Sequence, residues 1–383
     1  MCQGGRQLIF SNINLLTKEG IVGVDIGSSA IKIVRAEPSK QGAHITNVAM
    51  CQTPPECIRD GVISNVAEMA STIRNCMRIA GIKAVDAVTS VAGPGVIVRQ
   101  IQLHTMPEKV LRKSLRFEAS KYISASLDDS MVEFDILGPA QVEGQMNVIL
   151  AAAPRAMVES KVMALEQAGL DPIGVDVEVF ASLRTLIDYS RDKFLAEGAV
   201  ALLDIGASHS EINLVCKGKL ELSRTIPIAG DSLTNAIMTA KSCNLSEALK
   251  YKHEADMSIL IDAPPGTKGN SDLLAVQTLI DELLREVRRS VNYYQSQLPE
   301  GATDTVIDAL ILSGGTARLI GLAPYVQSRL HLDVRVGNPA LVDLIQSSSE
   351  NEFHADDSPL ISVAFGLAAK EMSITAKDES VAA

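Results

Sequence analysis

The five-residue pattern Asp-Ile-Gly-x-Ser occurs twice in this chain, at Asp25 to Ser29 and again at Asp204 to Ser208. Each copy follows an apolar, β-prone run (Ile21, Val22 and Val24; Val200 to Leu203) and precedes another (Ile31, Ile33 and Val34; Ile212, Leu214 and Val215). The spacing predicts two strand-turn-strand units. A plain hairpin turn needs no aspartate with glycine and hydroxyls packed around it. A phosphate site does, because backbone N–H groups must approach the anion closely and only small side chains allow that. Two copies in matching contexts predict duplicated lobes facing a common cleft.

A third glycine turn, Ser313-Gly314-Gly315-Thr316, follows the apolar run Val306 to Leu312 and precedes helically spaced Leu319, Leu322, Val326 and Leu330. Together the three turns suggest a polyphosphate ligand. Backbone N–H groups of Gly27, Ser28, Ser29, Gly206, Ala207 and Ser208, with the serine hydroxyls, would bind phosphate oxygens. Asp25 and Asp204 would face Mg²⁺ through its waters, since this ion sheds water reluctantly. Gly314, Gly315 and Thr316 would hold the base and ribose. No GxxxxGK[ST] stretch exists, and both phosphate turns lead into strands, so neither a P-loop nor a dinucleotide turn is present.

Helical spacing is found over 66–80, 158–168, 246–255 and 273–297, with Ser246 as a capped start for the third. The fourth carries the apolar stripe Val276, Leu279, Ile280, Leu283, Leu284, Val287 and Val291. Residues 262–272 read as a turn-forming loop, and 370–383 as a frayed polar tail. Between the first two turns lies a strand-helix-strand-strand-helix unit without a phosphate-type turn, so its surface suits partners. The expected organisation is a leader (1–19), a first lobe (20–95 and 172–198), an inserted partner-binding subdomain (96–171), a second lobe (199–369) and the tail.

With 383 residues the chain has room for two to three domains at ~150 residues each. The net charge of −11 argues against nucleic acid, whose binders present a basic face. Six cysteines form no CxxC pair and no zinc spacing, as suits thiols in a reducing cytoplasm. No apolar run approaches the ~20 residues needed to cross a bilayer, and the N-terminus lacks a signal-peptide layout.

The order of the three turns resembles the actin-like ATPase superfamily. More specifically, "VGVDIGSSAIKIV", "EASKYISASLDDSMVEFDIL", "VDVEVFASLR", "LLDIGASHSEINL", "REVRRSVNYYQSQ" and "LILSGGTARLIGL" resemble the PilM family of type IV pilus assembly proteins, itself similar to FtsA. The resemblance implies an α/β actin-like ATPase fold with an inserted FtsA/PilM-type subdomain. It implies ATP and Mg²⁺ as ligands, Lys32 on phosphate, and Glu247 and Lys250 on ribose. Glu178, like the acid of the related "EPLAS" segment, would position attacking water beside Asp25 and Asp204, with slow ATPase activity at most.

It further implies a cytoplasmic scaffold, peripheral at the inner membrane, that binds the N-terminal peptide of a PilN-type protein. Coupling to motor ATPases, and an oligomer or ring, are compatible with that role. "YISASLDDS" departs from the family's "YIPFD". Rival readings are a sugar-kinase-like phosphotransferase, with Asp176 as the acceptor-side acid, and an FtsA- or MreB-like filament. The leader stretch Ile13 to Thr17 resembles the tail by which PilN-type partners dock, and is either a packed leader or a self-occupant of that groove.

Overall fold

The computed structural model describes residues 20–39, 42–83, 86–123, 126–190, 192–261, 271–298, 305–344, 355–370 and 372. The leader stretch Ile13 to Thr17, most of the 262–272 loop and nearly all of the tail lie outside the described residues. The chain divides into two compact units, Met1–Thr185 with Val342–Phe353 and Val363–Ala383, and Leu186–Leu341 with His354–Ser362.

In the first unit, β1 (Ile21–Ile26), β2 (Ala30–Ser39) and β3 (Gly42–Gln52) run as an antiparallel meander. A two-residue hairpin, β4 (Ile58–Arg59) and β5 (Val62–Ile63), leads to α1 (Val66–Ile79) and β6 (Asp86–Val91). Next come β7 (Ile97–His104), α2 (Glu108–Ser120), β8 (Ser130–Pro139), β9 (Gln145–Pro154) and α3 (Arg155–Ala168). The chain returns through β10 (Asp171–Val177) into α4 (Glu178–Leu183). The main sheet has the order β10-β6-β1-β2-β3, with β6 and β10 parallel to β1.

The second unit contains α5 (Lys193–Glu197), β11 (Ala199–Ile205), β12 (Ser210–Cys216), β13 (Lys219–Ile226), α6 (Gly230–Lys241), α7 (Leu245–Glu254) and α8 (Ser271–Ser296). It continues with β14 (Ala309–Ser313), α9 (Leu322–Leu330) and β15 (Asp333–Val336). Its sheet, β13-β12-β11-β14-β15, repeats the first strand for strand. In each, the first strand pairs antiparallel on one side and parallel on the other. A final helix, α10 (Ser358–Ala368), carries the chain from the second unit back to the first.

Strands β1 and β14 are buried along their whole length, which explains their near-continuous apolar runs. The first core joins Val22, Val24, Ile31 and Ile33 to Met69 and Ile73 of α1 and to Ala164 and Leu165 of α3. In the second, the predicted α8 stripe packs against β12, β13 and α6, each fully buried aliphatic side chain stabilising by about 1.5–3 kcal/mol. The β7-β9-β8 sheet has a core of its own, with Leu111 and Leu115 of α2 against Phe134, Val148 and Leu150. Although α3 follows this sheet in sequence, Ala164, Leu165 and Ala168 belong to the β1–α1 core.

Local chemistry sets the helix ends. Asn65 caps α1 by accepting from Glu68 N, and Gly169 ends α3 in the left-handed region at φ 91°. The start of α7 differs from the expected Ser246. Asn244 is the cap, and Glu247, three residues on, completes a capping box. Lys370, assigned from the sequence to the tail, is only 2% exposed. Among the described residues no helix is long and apolar enough to cross a membrane.

Candidate functional site

In the first unit the candidate residues gather at the carboxyl ends of β1, β6 and β10, the end where open α/β sheets bind ligands. Asp25, next to last in β1, is 7% exposed and pairs in register with Lys32 of β2. Lys32 Nζ donates to Asp25 Oδ2 at 2.9 Å. The tip closes through Gly27 N donating to Ala30 O at 3.2 Å. A Cβ on Gly27 would stand 2.9 Å from Ala30 O and 3.2 Å from Lys32 Nζ, so only glycine fits. The end of β3 braces the tip, Thr53 Oγ1 donating to Gly27 O at 2.6 Å and Thr53 N to Ser29 O at 3.0 Å. Ser28 and Ser29 are exposed. Glu178, half-buried, opens α4 directly after β10.

One basic residue here went unread in the sequence. Lys161 on α3 is buried, and its Nζ donates to Ser90 O at 2.7 Å. Burial pulls its pKa down, the charges of Asp25 and Glu178 oppose that, and Lys32 adds to the lowering. The available signal was periodicity. Lys161 occupies a core position of the α3 stripe formed by Met157, Val158, Ala164, Leu165 and Ala168.

The second unit repeats the hairpin. Gly206 N donates to His209 O at 3.2 Å, as Gly27 N does to Ala30 O. Asp204 faces Glu211 where Asp25 faces Lys32, so the lysine–aspartate pair belongs to the first hairpin alone. Asp204 Oδ2 instead accepts from Ser313 Oγ at 2.6 Å. This joins the second hairpin to the third turn. At Gly314, φ is +83°, and an added Cβ would lie 2.6 Å from Ile205 O and 2.8 Å from Asp204 Oδ1. Gly206 O accepts from both Gly230 N, at 3.0 Å, and Thr316 Oγ1, at 3.2 Å. Ala207 O accepts from Asp231 N at 2.8 Å, and Ser208 Oγ lies 3.0 Å from His209 Nδ1. Gly315 stays open, an added Cβ meeting only Leu360 Cδ2 at 3.8 Å.

Asp204, Gly206, Ala207, Gly314 and Thr316 are thus assembled into one structure. Glu247 and Lys250 stand apart from it in their bonding. Glu247 is occupied by the Asn244 cap, and the exposed Lys250 lies 4.0 Å from Glu254. On α7 it is Lys252 that bonds toward α6, its Nζ donating to Thr234 Oγ1 at 2.8 Å and Gly230 O at 3.3 Å. Burial lowers its pKa against the charge of Asp231.

Asp176 has no part in acceptor chemistry. It is fully buried, accepts from Val177 N at 2.9 Å and from Arg184, and lies 3.3 Å from Lys370 Nζ. Burial would raise its pKa, but the charges of Lys370 and Arg184 hold it below the usual carboxylate value. A carboxylate sealed between two cations cannot reach a substrate hydroxyl, so the sugar-kinase reading loses its base.

A family model described as type IV pilus assembly protein PilM matches residues 23–372. The chain belongs to the PilM family. The match takes in both hairpins, the three-stranded insertion and the third turn, and the family places the chain in type IV pilus assembly. Among solved structures, the PilM-PilN type IV pilus biogenesis complex aligns at a TM-score of 0.78 and 27% identity, covering 93% of this chain and 99% of that one. MreB 5 of Spiroplasma citri bound to AMPPNP aligns at 0.50 and 12% identity, over 95% and 99%. The cell division protein FtsA of Pseudomonas aeruginosa is 23% identical over 375 residues, 85% of this chain and 86% of that protein. The PilM-family fold seen here is the actin-like ATPase fold, α/β with two duplicated sheets and the FtsA/PilM-type insertion.

Proposed function

We propose that this PilM-family chain is a cytoplasmic ATP-binding scaffold of the type IV pilus assembly platform. The observation that carries the reading is the repeated hairpin, each copy closed at 3.2 Å around a glycine and each holding one carboxylate in a fixed bond. The glycine turns fit phosphate: a Cβ at Gly27, Gly206 or Gly314 would meet Ala30 O at 2.9 Å, His209 O at 2.9 Å or Ile205 O at 2.6 Å, and turns this tight present backbone N–H groups to an anion. Asp25 and Asp204 would hold Mg²⁺ through water. Ser28, Ser29 and Lys32, and on the other hairpin Ala207 and Ser208, would take phosphate oxygens. Gly314, Gly315 and Thr316 would hold the adenosine, with Glu247 and Lys250 toward ribose. Bound Mg²⁺ would supply charge neutralisation at the phosphates.

The solved MreB relative carries AMPPNP, which supports the nucleotide class. Glu178 would position water. Turnover is expected well below the ~10 s⁻¹ median of enzymes, because a scaffold uses ATP to set a conformation. Phosphate-release assays on the purified chain check this, and a rate near the median would contradict a scaffold role.

The PilM–PilN complex supports a PilN-type partner. We place its N-terminal peptide between the first lobe and the inserted subdomain 96–171; α2 of that subdomain exposes Val110 (50%) and Phe117 (66%). Such a partner would bring the chain to the inner membrane and couple it to motor ATPases, in an oligomer or ring. In cells lacking the PilN-type protein, fractionation should move this chain from the membrane pellet to the supernatant. Retention in the pellet would contradict recruitment by that partner.

A further inference from the structure

Lys161 takes no part in the nucleotide reading above, yet it lies beneath the first hairpin. Its side chain is 6% exposed, and its ammonium is bonded to Ser90 O on β6. Ser90 stands one residue beyond the Val24↔Thr89 pair, beside Asp25, and is paired with Asp176, two residues before Glu178. The ammonium therefore sits under the carboxyl ends of three neighbouring parallel strands. Asp25, Glu178 and Lys32 are the charges acting on it.

The second unit supplies the comparison. There Ser313 is paired with Asp204 across β11 and β14, and its hydroxyl donates to Asp204. Ser90 occupies the corresponding place beside Asp25. Its buried hydroxyl makes no hydrogen bond among the described residues, and its carbonyl receives Lys161 instead. One sheet position is thus used in two ways: a neutral hydroxyl steadies Asp204, and beside Asp25 a backbone carbonyl takes the Nζ of a buried lysine. Among these four groups, Asp25 and Glu178 against Lys32 and Lys161 balance to zero.

We propose that Lys161 is a positioning residue of the nucleotide site, a resident counter-charge that holds Asp25 and Glu178 together and sets how strongly nucleotide binding depends on Mg²⁺. The inference rests on the nucleotide reading above. With Lys161 removed, the four-group cluster becomes net negative. Metal-free ATP, rich in negative charge, then meets uncompensated carboxylates. With Mg²⁺ present, the metal supplies much of the missing positive charge, so binding suffers less. A residue that only packed α3 would weaken both binding modes alike.

The test is calorimetric titration of the full chain with ATP, in EDTA and in Mg²⁺, comparing the ratio of the two dissociation constants. In Lys161→Met the ratio of metal-free to Mg²⁺ values is expected to rise roughly tenfold, the size of one charge interaction at moderate dielectric. Lys161→Arg, which keeps the charge, should stay within about twofold of wild type. The double variant K161M/E178Q restores neutrality and should return toward the wild-type ratio. If Lys161→Met does not fold, Glu178→Gln alone decides. It leaves the cluster net positive, so the ratio should fall, and a ratio at or above wild type overturns the proposal. An unmoved ratio in a folded Lys161→Met protein also overturns it, while leaving the nucleotide reading intact. Absence of ATP binding by the wild-type chain overturns both.

Discussion

Asp176→Ala will destabilise the first unit by about 3–5 kcal/mol, the range seen when one partner of a buried ion pair is removed. Asp176 is 0% exposed and anchors two cations, Arg184 and Lys370. Arg184 also donates to Gly366 O at 2.7 Å, so the cluster ties the end of β10 and α4 to α10. Deleting the carboxylate leaves two charges inside the protein without their counter-ion. Urea unfolding of wild type and variant measures the effect as a lowered midpoint at similar slope. A change under about 1 kcal/mol would mean that the cluster is solvated rather than sealed.

The same group fixes a pH dependence. The carboxyl of Asp176 is held below its ordinary value of 3.8 by Lys370 and Arg184, against the effect of burial. A depressed carboxylate contributes stability that is present above its unfolded value and lost as pH falls through the folded one. The wild-type chain should therefore lose stability in acid below about pH 4, and the Asp176→Ala variant should lose less over the same range.

Gly23→Val should be at least as damaging, because its surroundings cannot yield. A Cβ at Gly23 on β1 would lie 1.9 Å from Ala364 O and 2.6 Å from Ala368 N of α10. Both are backbone atoms, so no rotamer change relieves the clash. On another side of the helix, a Cβ at Gly366 would lie 2.0 Å from Ala181 O and 2.8 Å from Thr185 Oγ1. The two glycines let α10 lie directly on β1 and α4. Ordinary overpacking costs about 1–3 kcal/mol, and a backbone collision should exceed that. Thermal unfolding is expected to show a drop of many degrees. A melting point within about 2 °C of wild type would show that α10 can withdraw from β1 freely.

Much of this was legible from the sequence because its causes are local. The two Asp-Ile-Gly-x-Ser stretches are bounded by apolar runs, and each became the predicted hairpin. Gly169 stops α3 because only its left-handed conformation is needed there, and the apolar stripe of α8 is a period that any long amphipathic helix shows. What escaped depends on distant partners. Lys370 reads as the start of a polar tail until Asp176 is placed beside it. Lys161 reads as a solvated lysine unless its position on the α3 stripe is weighed against its charge. The cap at Asn244 was missed because Ser246 is also a capping residue, although Glu247 has the capping-box spacing from Asn244. Sequence order also hid the packing of α3, which follows the inserted sheet but completes the core of β1 and α1.

On the reading proposed above, the two hairpin acids make a metal-dependent nucleotide site. Calorimetric titration of the purified chain with ATP, with and without Mg²⁺, tests it most directly when repeated on Asp25→Ala and Asp204→Ala. Mg²⁺-dependent binding is expected of the wild-type chain, with at least a roughly tenfold loss of Mg²⁺-dependent affinity in each variant, since each removes a charge proposed to face the cation. Wild-type affinity in both variants would contradict it.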